Sequence, residues 1–75
     1  MDIGMLWLDD DRRRSFEEKV KRAAEYYREK YGRFPELCLV NTCMLAEEKK
    51  KVGRIEVQPT QTVLPDHFWL GMKAN

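Results

Sequence analysis

A chain of 75 residues has room for one domain with a small core. Its 14 basic and 13 acidic residues leave a net charge of +1, which gives no electrostatic case for nucleic acid or an anionic membrane as a partner. No apolar run approaches the roughly 20 residues that cross a bilayer, and two cysteines with one histidine fall short of the four ligands of a structural zinc site, so no cofactor is expected.

The opening stretch, IGMLWL at residues 3–8, predicts a strand. It is apolar at nearly every position, as in a strand covered on both faces. The acids that follow it at once do not fit a secretory signal, so the expected location is the cytoplasm, where thiols stay reduced. DDDRRR makes the connection to a helix. That helix starts near Ser15, with a capping box in SFEE, and ends at Gly32 ahead of Pro35. Phe16, Val20, Ala23, Ala24, Tyr27 and Tyr31 form one apolar stripe at helical spacing.

ELCLVN predicts a second unbroken apolar strand, and strand, helix and strand together predict a βαβ unit with a right-handed crossover. CMLAEEKKK predicts a short second helix capped by Asn41 or Thr42. GRIEVQ alternates, with Ile55 and Val57 on the dry side, and HFWLGM supplies the last strand. The predicted fold class is α/β in an α+β-like two-layer arrangement, one domain over residues 1–75. It has a small mixed sheet of about four strands in the order strand, helix, strand, short helix, strand, strand. One long helix covers one face.

Cys38 and Cys43 are too far apart along an extended strand for a disulfide. Cys38 reads as a buried hydrophobe. Cys43, on the first turn of the short helix, is the candidate reactive thiol, because free N–H groups and the helix dipole favour a thiolate there. No C-x-x-C or C-x5-R pattern accompanies it.

Asp9, Asp10 and Asp11 follow the first strand directly and are candidate ligands for a divalent cation, with Asp9 and Asp10 as candidate catalytic acids. LWLDDD is similar over six residues to the first-strand acids of response-regulator receivers and to the D-x-D of haloacid-dehalogenase-type phosphatases. That resemblance implies Mg²⁺ at this edge. The receivers' later Asp and Lys have no counterpart here, and arginines stand where the phosphatases carry Thr or Val. The plainer reading is a helix-preceding turn neutralised by Arg12–Arg14. The runs Arg12–Arg14 and Lys49–Lys51 are candidate phosphate contacts, but each follows acids and lacks interleaved aromatics, so nucleic acid is not the expected partner. His67 reads as a structural hydrogen-bonder.

The pattern speaks most clearly about coverage. Three strands are apolar on both sides, and a single long helix covers one face of a sheet. The second face, expected to carry Trp7, Trp69 and Phe68, calls for a homodimer or a protein partner. The functional expectation is a binding or assembly module rather than an enzyme. A small metal- or thiol-dependent enzyme with its site at Asp9, Asp10 and Cys43 is the alternative, and weak nucleic-acid binding through the basic runs is the second.

Overall fold

The computed structural model describes residues 4–73. One helix packs on a mixed five-stranded sheet. Along the chain come β1 (Gly4–Leu8), α1 (Phe16–Tyr31), β2 (Leu37–Asn41), a 3-10 turn (Thr42–Met44), β3 (Lys50–Val52), β4 (Ile55–Thr60) and β5 (His67–Gly71).

The helix boundaries follow from their caps. The Ser15 hydroxyl accepts from the Glu18 amide at 3.1 Å, which satisfies one free N–H of the first turn. Gly32 closes the helix in the left-handed region at φ 81°, and its amide donates to the Arg28 carbonyl at 2.7 Å. The stripe read from the sequence is the buried one: Val20, Ala23, Ala24 and Tyr27 are inaccessible. They meet Cys38 and Val40 of β2, Ile55 and Val57 of β4, and Phe68 and Leu70 of β5, and these side chains form the core.

The strand order is β1-β5-β2-β4-β3. β5 runs antiparallel to both of its neighbours, β2 and β4 are parallel, and β3 and β4 form an antiparallel hairpin. The first two strands therefore run in the same direction, as the βαβ reading requires, but they are not hydrogen-bonded to each other. The C-terminal strand fills the gap between them. A helix about 10–12 Å across spans two strand spacings of about 4.8 Å, so a strand under its axis is better covered than one at either side. β5, with Phe68 and Leu70 both fully buried, takes that place.

The second helix is not there. Thr42–Met44 makes a single 3-10 turn, capped as expected by Asn41, whose Oδ1 accepts from the Cys43 amide at 2.9 Å. Lys50–Val52 then extends as β3, which brings the strands to five. The Gly53–Arg54 corner, with Gly53 at φ 61°, makes a tight hairpin with β4, and Val52 pairs with Ile55 over the core. Tertiary pairing thus outweighs the helical propensity of EEKKK. Lys50 Nζ also reaches Glu17 Oε2 on α1 at 2.8 Å, tying this outer strand to the helix.

Candidate functional site

β1, β5 and β2 each alternate between the two faces of the sheet. On β1, Met5 and Trp7 turn to α1, where the Trp7 indole stacks on Tyr26 with centroids 4.3 Å apart. Leu6 and Leu8 turn away, and they are 61% and 56% exposed. On β5, Phe68 and Leu70 are buried under the helix, while His67 and Trp69 face the other side. On β2, Cys38 and Val40 are buried, and Leu37 and Leu39 face outward.

The register aligns these outward residues. Leu6 lies opposite Trp69, and Trp69 lies opposite Leu39, making an apolar row across three strands. Beyond Leu39 the row meets Gln58, and there the face turns polar, with Glu56 held by Gln58 and by Lys73 Nζ at 3.2 Å. The loop after β4 folds over one end of the row. It brings Thr62, Val63 and Leu64 beside His67 and encloses a shallow groove of about 440 Å³. Asn41 fixes this loop by donating from Nδ2 to the Val63 carbonyl at 2.7 Å. Leu64, at its tip, is 67% exposed. Beyond this loop, nothing among the described residues covers the face.

Trp69 sets the shape of the row. Gly4 and Gly71 face each other on β1 and β5, and a Cβ on either would overlap the Trp69 ring. The indole therefore lies flat across both backbones instead of standing off the sheet. His67 Nδ1 is 2.8 Å from the Pro65 carbonyl, which fixes the imidazole at the groove margin by a local hydrogen bond.

Of the three expected interface aromatics, Trp69 alone is on the open face. Phe68 and Trp7 are on the helix side, because neighbours in a strand point to opposite faces. Leu6, Leu8, Leu39 and Leu64 were not among the residues expected on this face. The signal for two of them was available in MLWL, where Leu6 and Leu8 must oppose Trp7.

The other candidates are used structurally. Asp9 is buried, and its Oδ1 accepts from the Asp11 amide at 3.1 Å and from Arg14 at 3.3 Å; its Oδ2 has no partner among the described residues. Asp11 accepts from Arg13 Nε at 3.1 Å and from Arg14 at 3.0 Å. The Arg13 hydrogen bond holds the Asp11 carboxyl down at about 2. Asp10 is exposed, as are Arg12 and Arg13. The acids and arginines thus close one turn, and among the described residues no group of three acidic, cysteine or histidine side chains is placed to hold a metal ion.

Cys43 is exposed on the 3-10 turn, without the helix whose dipole was to act on it. Cys38 is fully buried, and burial pushes its thiol up to about 12. Lys50 and Lys51 are on β3, not on a helix end, and no helix is long and apolar enough to cross a membrane among the described residues. Comparison with protein-family models, with curated proteins and with solved structures finds no match, so the reading of this chain rests on its own residues.

Proposed function

We propose that this chain is a non-catalytic binding and assembly module that joins a second body, another copy or a partner protein, across the sheet face opposite α1. One observation carries the reading: exposed Leu6, Leu8 and Leu64 surround half-buried Trp69 and Leu39 in one apolar row, on a chain whose charged residues are plentiful elsewhere. Exposed apolar side chains scattered singly are ordinary; a contiguous row rimmed by polar groups is the pattern of an association surface. Arg14 bonds Asp9 Oδ1 and Asp11, which supports reading the acidic turn as a structural element beside this surface.

Sedimentation velocity over a wide concentration range tests the reading. The 9.0 kDa chain is expected to gain mass with concentration, and Leu6→Glu is expected to abolish that gain while the far-ultraviolet circular dichroism stays unchanged. A parent protein whose mass is the same at high micromolar concentration, and the same as that of Leu6→Glu, refutes association between copies.

A further inference from the structure

The two edges of the sheet are not alike. β3, at one edge, is three residues long and carries Lys50 and Lys51, the short, charged form that resists pairing with other strands. β1, at the other edge, is GMLWL: five residues with no charge and no proline. Nothing in it guards against strand addition.

The hydrogen-bonding pattern shows what that edge offers. The Asp9 amide donates to the Asp66 carbonyl at 2.9 Å, so Asp9 and Asp66 are a hydrogen-bonded pair in the β1–β5 register. Such pairs alternate in an antiparallel ladder. Trp7 and Met5 are therefore bonded to β5, and the N–H and C=O groups of Gly4, Leu6 and Leu8 point outward. The Gly4 carbonyl accepts from the Tyr31 hydroxyl at 3.3 Å and keeps a second lone pair. Among the described residues no partner engages the outward groups of Leu6 and Leu8.

We infer that the occupant of this edge is a second copy of the chain, bound antiparallel through β1 about a two-fold axis at Leu6, so that two five-stranded sheets join into one. This rests on the association reading above, names the second body as another copy, and places the contact at the β1 margin of the open face, where Leu6 and Leu8 stand. The outward groups are spaced symmetrically about Leu6, so the edge is complementary to itself, as a two-fold interface requires. Leu6 bonds the partner's Leu6, and Gly4 and Leu8 bond the partner's Leu8 and the partner's Gly4. The side chains fit as well. Exposed Leu6 meets the partner's Leu6 on the open face. The partner's Leu8 stands opposite Gly4, which has no side chain of its own but has the Trp69 indole lying over it. Both exposed leucines of β1 thus gain an apolar neighbour, and on the helix side Met5 meets the partner's Trp7. A foreign strand would have to reproduce this pattern; a second copy already has it.

Amide exchange on the unmodified protein tests the register directly. In a monomer the Leu6 and Leu8 amides face solvent while those of Met5 and Trp7 are protected. In the dimer all four are protected, so Leu6 and Leu8 are expected to gain about 100-fold protection from dilute to near-millimolar samples. Exchange at Leu6 and Leu8 that stays fast at every concentration overturns the inference. Two altered chains separate this edge from the broader face. N-methylation of the Leu6 amide, introduced by chemical ligation at Cys38, removes one outward donor and no side chain, and is expected to give a monomer. Lys51→Glu, on β3 at the opposite edge, is expected to leave the dimer intact. A dimer kept with N-methyl-Leu6 overturns edge pairing and leaves the face as the docking surface.

Discussion

Replacing Phe68 by Ala removes the ring at the centre of the molecule. Phe68 has no solvent exposure, lies on β5 between β1 and β2, and tilts against Phe16 with centroids 6.0 Å apart. Loss of a buried phenylalanine costs about 3–5 kcal/mol in transfer and cavity terms. A 75-residue domain has a total stability of roughly 4–11 kcal/mol at 0.05–0.15 per residue, so the change removes from about a quarter to all of it. Phe68→Leu keeps most of the volume and should cost less than about 1.5 kcal/mol. Leu64→Ala, at a site 67% exposed, should stay within about 0.5 kcal/mol. Urea unfolding followed by circular dichroism, with the fluorescence of Trp7 and Trp69 as a second probe, measures all three. The comparison also tests the register of β5, because a slip of one residue would put Trp69 under the helix and Phe68 on the open face. If Phe68→Ala costs no more than Leu64→Ala, the assignment of faces is wrong and the surface proposed for association is the core.

Three further outcomes are expected. Ser15→Ala should lose about 1 kcal/mol and some helicity by circular dichroism, and Ser15→Asp should restore both, because either side chain can accept from the Glu18 amide. Gly32→Ala should cost about 1 kcal/mol in denaturant titration although nothing crowds the site, since φ 81° is unfavourable for any residue with a Cβ. Burial raises the Cys38 thiol from 9.0 to about 12, so its stabilising contribution is complete below pH 9 and is lost as pH climbs toward 12. Cys38→Val should therefore reduce the alkaline decline of the unfolding midpoint, and iodoacetamide at pH 8 should label Cys43 and spare Cys38 until the chain unfolds.

The helix was legible to the residue because its signals are local: a serine cap, a stripe at the period of an α-helix, and a glycine in the left-handed region. β4 was legible from the alternation of Ile55 and Val57. Strand order was not, because it depends on which strand lies under α1, and MLWL, LCLV and HFWL offer similar apolar faces. β3 was hidden for a related reason. EEKKK has helical propensity, and what makes Lys50–Val52 a strand is the turn at Gly53 and the pairing of Val52 with Ile55, a contact made only in the hairpin. The open face was legible as a shortage of cover, yet its occupants were not, since reading HFWL as apolar throughout does not say which of Phe68 and Trp69 is up. The acidic turn shows the limit of short motifs: LWLDDD suggests a cation edge until Arg13 and Arg14 are seen closing on Asp11.

The placement of β5 has a consequence for how the chain comes into being. The keystone of the sheet is the last of its five strands in chain order, and among the described residues it is the one strand of the same chain to which β1 is bonded. β1 is made well before β5 and must therefore wait, an apolar segment without a mate, until β5 has emerged. A nascent chain shortened by its final nine residues would lose the wedge between its two halves, and the stranded GMLWL would be free to seek its pairing elsewhere.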